Sequence, residues 1–235
     1  MSSAKTMLLV IIVVTVVSLY ADAYDPEPLQ DFCVGVSDKD ATVFVNGKIC
    51  KNPNTVTADD FYFSGLNRPG NITNPFGTVV TKVFVDEMPA LNTLGVAVTR
   101  IDYNPHGANP PHSHPHASEI LMVMEGTLYA GFISTNPANP YDKNKLYAKV
   151  LGPGDLYVVP KGLVHFQYNL GNTKALAFAC FSSQKPGLVT ISKAIFGSEP
   201  LVHPDLLAKS FQMSRKEVDR LLSLEWIGNS LPQRG

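Results

Sequence analysis

A succession of short β-branched and aromatic runs, closely spaced and broken by glycine and proline, decides what residues 76–198 can become. Gly77–Val85 and Leu94–Tyr103 open the series. Glu119–Met124, Leu128–Ser134, Leu146–Leu151, Leu156–Val159, His165–Tyr168, Ala175–Phe181 and Val189–Ile195 continue it. Gly126, Pro153-Gly154, Lys161-Gly162 and Gly171-Asn172 separate neighbours. Short strands at this spacing, with no helical period between them, predict an all-β sandwich or barrel. The chain has 235 residues, ordinary for one such domain, and no linker rich in Pro, Gly or Ser divides it. Hydrophobic residues at 45% against 17% charged supply a core and exclude a disordered chain. The formal net charge is −1 without a dense Lys/Arg run, which excludes nucleic acid and anionic membrane surfaces as partners.

The two ends depart from this pattern. Lys5, the apolar run Met7–Leu19 and the small-residue site Ala21-Asp22-Ala23 form a secretory signal peptide over residues 1–23. The run is too short to cross roughly 30 Å of hydrocarbon, so no membrane span is expected. The mature domain is then 24–235, and losing Lys5 with Asp22 leaves its net charge at −1. In an oxidising compartment, Cys33 and Cys50 are expected to form a disulfide, worth about 3 kcal/mol in the chain-entropy model. Cys180 lies in the apolar run Ala175–Phe181 and reads as a buried, inert thiol. Asn71-Ile72-Thr73 is a glycosylation sequon in an expected surface loop. At the C-terminus, about 203–228, Pro204 suits a first helical position, and Leu206, Leu207 and Phe211 share a face. Ser214 and Glu217 form a capping-box pattern before Val218, Leu221 and Leu222. Two short amphipathic helices follow, packing on the barrel or on another subunit.

Chemistry concentrates at the histidines. Four of the six fall within residues 106–116: His106, His112, His114 and His116. Residues two apart in a strand point to one side, so His112 and His114 can present their imidazoles together. Pro115 interrupts the ladder and lets Glu119 return to that side. His165, beyond turns at Pro153-Gly154 and Pro160–Gly162, is the candidate fourth group. Three imidazoles and one carboxylate suit a divalent first-row metal, leave the site near +1 and favour a small anion at an open position.

Gly107–His114 with Glu119 and Gly126 resembles the first conserved box of the germin and germin-like cupins. Gly154–His165 with Asn169 resembles the second. The likeness spans the mature chain, through Asp31–Val34, Asn46–Lys51 and Phe181–Gly187. It implies an all-β cupin jelly-roll barrel with short C-terminal helices. It further implies manganese held at His112, His114, Glu119 and His165, secretion to the plant apoplast, and hexamers whose C-terminal helices pack across subunits. Members of the family resemble superoxide dismutases, oxalate oxidases, or receptors and storage and defence proteins. Asn92 and Asn109 match asparagines that face substrate in the oxalate-degrading members; their simpler role is turn formation beside Pro and Gly, and many members without oxalate activity keep them.

The remaining residues receive simpler readings. His106 is a solvated turn residue, and His203 caps a helix. His116 stands where many members carry Arg; strand parity allows a fifth ligand, but a rim position is the simpler role. Met122 and Met124 alternate on a strand and read as core. Superoxide disproportionation leads, because it demands little beyond an accessible, positively poised redox metal. Oxalate oxidation and a non-catalytic protein with a structural metal are its rivals.

Overall fold

A computed structural model describes Asn54 and residues 56–228. The signal-peptide cleavage site and the Cys33–Cys50 pair lie outside the described residues. The strands are β1 (Thr78–Val83), β2 (Ala97–Tyr103), β3 (Ala108–Ser113), β4 (Glu119–Glu125), β5 (Leu128–Ile133), β6 (Leu146–Leu151), β7 (Leu156–Val159), β8 (His165–Asn169), β9 (Ala175–Phe181) and β10 (Val189–Thr190). They form two antiparallel five-stranded sheets, ordered β1-β2-β9-β4-β7 and β10-β3-β8-β5-β6. Two such sheets, each built from strands distant in sequence, are a jelly roll.

Strict alternation sets which residues fill the space between the sheets. Ala175, Ala177, Ala179 and Phe181 of β9 point inward beside Leu121 and Val123 of β4. Their alternate neighbours must therefore point outward, which corrects two expectations. Cys180 is exposed, not buried, in register with Ile120 of β4. Met122 and Met124 are 41% and 44% exposed and belong to the outer face, not the core. An uninterrupted apolar run conceals its own parity, because both faces are apolar. With Ile120, Leu156 and Val158, these residues give the sheet an apolar outer wall.

The run Val189–Ile195 is corrected too. Only Val189–Thr190 is strand; Ile191–Phe196 is a helix, α1. Its β-branched residues favour a strand, but packing overrides that weak preference. The Phe196 ring lies 5.4 Å from Phe211 and 5.7 Å from Trp226. Phe211 ends α2 (Pro204–Phe211), which packs against α3 (Arg215–Leu222). His203 accepts from the Asp205 amide at the start of α2, and Ser214 and Glu217 close a reciprocal capping box at α3. Leu207 and Val218 are buried, whereas Leu206, Phe211 and Leu224 remain exposed. Among the described residues, no helix is long and apolar enough to cross a membrane.

The outer face of β2 carries a buried ion pair. Arg100 binds Asp102 at 2.7 Å and donates to the Leu66 carbonyl, while Asp102 accepts from the Gly70 amide. The hydrogen bond to Asp102 raises the Arg100 pKa against the effect of burial. These contacts hold residues 66–70 across the barrel wall. Asn71 follows in an exposed loop.

Candidate metal centre

Pro110 and Pro111 cannot donate to the sheet, and the β3–β8 register shifts between Asn109 and His112. Beyond that irregularity His112 pairs directly with His165, the first residue of β8. Their ring centroids lie 4.0 Å apart. His114 follows the end of β3, its ring 5.2 Å from both and 4.8 Å from Phe181. Glu119 opens β4 in register with Phe181. The structure thus brings His112, His114, Glu119 and His165 together from three strands and one turn.

All four are buried, and one candidate ligand atom from each lies within 4.8 Å of the others. Backbone carbonyls orient the rings. Nδ1 of His112 donates to Pro110 at 2.8 Å, Nδ1 of His114 to Gly187 at 2.6 Å, and Nδ1 of His165 to Leu163 at 2.9 Å. A carbonyl only accepts, so each Nδ1 carries the proton, and each Nε2 is left with its lone pair. Two of those nitrogens, on His165 and His114, face Glu119 Oε2 at 3.0 and 3.3 Å. Neutral nitrogens and a carboxylate all offer lone pairs, so the arrangement requires a proton or a cation among them. A divalent cation satisfies all four donors at once, and the donor set fits a first-row metal.

The electrostatics agree. Burial pushes the His112 pKa well below the ordinary histidine range, helped by the charges of His165 and His114, so the ring stays a neutral ligand. Burial alone would raise Glu119, but a donor and positive charge on the His114 and His165 side, the place a bound cation would take, hold it well below the usual carboxylate range. Burial, with the charges of Glu119 and Asp102, raises Tyr103 well above the ordinary phenol range.

A cavity of about 40 Å³ opens beside the ligands, lined in part by Thr99, Asn109, Phe181 and Leu188. That volume is room for a few water molecules or a small anion. Asn109 lies on its wall, bonded to Gln167 at 2.8 Å. Asn92 does not line it and follows the single helical turn Pro89–Leu91 in an outer loop. His116 lies outside the ligand group, with Nδ1 3.4 Å from the Lys185 carbonyl. His106 is exposed at φ 58°, its ring 6.4 Å from Tyr168.

Ligand arithmetic misses the residues that aim the ligands. Gly187 is the clearest case. Its carbonyl anchors His114, its φ is +69°, and a Cβ there would fall 2.9 Å from Pro115 Cγ. The Pro186-Gly187 dipeptide is a turn signal in sequence, but nothing local shows that its carbonyl reaches across to residue 114.

The Cupin family profile matches residues 64–219. The chain is 53% identical over 209 residues to germin-like protein subfamily 1 member 16 of Arabidopsis thaliana, covering 89% of this chain and 92% of that protein. It is 51% identical over 221 residues to subfamily 1 member 13 of the same plant, covering 94% and 97%. Among solved structures, an oxalate oxidase in complex with the substrate analogue glycolate superposes with a TM-score of 0.73 at 43% identity, covering 85% of this chain and 96% of that one. With both boxes in place and the likeness running nearly end to end, the chain belongs to the germin-like proteins of the cupin family.

Proposed function

We propose that this is a secreted, manganese-binding protein of the plant apoplast that disproportionates superoxide and serves in defence or stress. The supporting observation is the ring of three oriented Nε2 atoms and one carboxylate oxygen beside a small cavity. His112, His114, Glu119 and His165 would hold the ion, and manganese would supply the one-electron redox chemistry. Glu119 offsets part of the positive charge, and the carbonyls fix ligand orientation and basicity. Phe181 and Leu188 limit water at the reacting position. The cavity size supports a small anion.

Oxalate oxidation is the second reading, favoured by Asn109 on the cavity wall and by the likeness to an oxalate oxidase. Against it, Asn92 does not reach the cavity within this chain. The deciding experiment measures metal content, superoxide loss and oxalate-dependent peroxide release on one purified preparation. Superoxide activity should track bound manganese, vanish on chelation and survive Asn109→Ala. Peroxide release that Asn109→Ala abolishes would replace this reading with the second. A bound metal with neither turnover would make the ion structural.

Secretion and hexamer assembly belong to the same proposal. The apolar outer wall at Ile120, Met122, Met124, Leu156 and Val158, with exposed Leu206 and Phe211, supports burial against other copies. Protein from extracellular fluid should begin near Tyr24, carry a Cys33–Cys50 disulfide and a glycan on Asn71, and scatter light as a hexamer. An intact Met1 or a monomer would overturn the corresponding part.

A further inference from the structure

Lys82 and Thr99 are direct partners across the β1–β2 ladder. Partners in an antiparallel pair leave the sheet on one side, and here that side is the barrel interior. Both line the cavity beside His112, His114 and Glu119. Thr99 is 1% exposed, and its hydroxyl has no hydrogen-bond partner. The cavity wall around it is largely apolar, with Val80, Phe84, Ile101 and Leu188. A buried hydroxyl without a partner is costly, and such groups mark places where something else completes the bond.

Lys82 is only partly buried and also lines a wider, more open cleft of about 410 Å³ with Thr190, Lys193 and Ser198. It therefore stands where the inner cavity and the outer cleft meet. Among the described residues its ammonium makes no ion pair; it lies over the Phe84 ring, 6.0 Å from the centroid. A cation at the doorway and an unsatisfied donor on the adjacent wall are complementary to one class of ligand.

We propose that Lys82 and Thr99 form an anion subsite beside the four-ligand centre. Its ligand is a small oxyanion that accepts the Thr99 Oγ–H and whose charge Lys82 balances. The subsite rests on the metal reading above, because Glu119 without a cation would repel an anion from the cavity. Both residues are specificity-determining: they select charge and size at the doorway and leave the ion to its own ligands.

The test uses the metal-loaded, full-length protein and glycolate, a small stable carboxylate, as the calorimetric probe. Metal content is measured first in wild type, Thr99→Val, Thr99→Ser and Lys82→Gln. All four should hold equal metal. Thr99→Val and Lys82→Gln should each weaken glycolate binding roughly tenfold, and Thr99→Ser should restore it, since a charge-assisted hydrogen bond is lost and regained. Wild-type affinity in both Thr99→Val and Lys82→Gln would overturn the subsite, as would a metal-replete wild type that ignores glycolate. Should Thr99→Val misfold, Lys82→Gln at the partly exposed doorway decides the matter alone. A wild type without metal would overturn the metal reading and the subsite together, and the metal analysis shows that before any glycolate is added.

Discussion

His165→Ala should lower metal affinity at least about a hundredfold, more than the loss usual for a residue that only supports a ligand. His165 is 1% exposed, its Nε2 lies 3.0 Å from Glu119, and its ring centroid lies 4.0 Å from that of His112 at a tilt of 55°. Removing it leaves two imidazoles and a carboxylate, with a water-sized gap where the third nitrogen stood. His116→Ala is the internal control. Its ring is buried nearby, yet its Nδ1 lies 3.4 Å from the Lys185 carbonyl and it is not one of the four convergent groups. The control should hold metal like wild type. The measurement is metal content after dialysis against limiting manganese, with circular dichroism checking the fold of each variant. Equal content in wild type and His165→Ala would sink the ligand set and every activity that depends on it.

The contrast between His165 and His116 shows what was legible in the sequence. His112, His114 and Glu119 stand close together, so strand parity and one interrupting proline suffice to place them. His165 was legible because it follows two turns that frame the short strand before it, which is how a distant segment returns to the same end of a barrel. The cupin boxes made both inferences specific. What failed to show was sidedness and long-range contact. Leu121 and Met122 look alike in a linear run, yet one is buried and the other 41% exposed. Cys180 was misplaced for the same reason. Ile191–Phe196 carries strand-forming residues but is held helical by aromatic contacts with residues 15 and 30 positions beyond Phe196. Asn109 and Asn92 matched one functional pattern, and only Asn109 reaches the cavity.

The outer wall connects these errors to the assembly proposed above. A monomeric barrel in water would carry polar residues at positions 120, 122, 124, 156 and 158. Apolar side chains there make the sequence run look like core, because in an assembly it would be core. The same proposal would cover Leu206 and Phe211, which are 56% and 47% exposed on the α2–α3 pair. Misread parity and an unpartnered surface are thus one observation seen from two levels.

Stripping the metal should destabilise the fold by an amount set by mass action. An ion that binds only the folded state adds about 2.7 kcal/mol when free metal is a hundred times the dissociation constant. For a domain of this size that corresponds to a fall of roughly 5–10 °C in the melting midpoint on chelation. Three imidazole nitrogens and a carboxylate oxygen converge in the site, and without a cation their lone pairs face one another. Acid should shrink the effect. Each ligand must be deprotonated to bind, so protons compete with the metal, and affinity falls as pH falls. The melting gap between loaded and chelated protein should therefore be wide near neutrality and narrow on acidification, closing only below the ordinary histidine range, because burial keeps His112 neutral and Glu119 stays ionised through it. Differential scanning fluorimetry with and without chelator, at a series of pH values, reads both effects. The His165→Ala protein should show almost no gap at any pH, because it has little metal to lose. A gap that acid never narrows, or one that His165→Ala retains, would mean that the ion sits elsewhere and that the buried histidines serve the barrel alone.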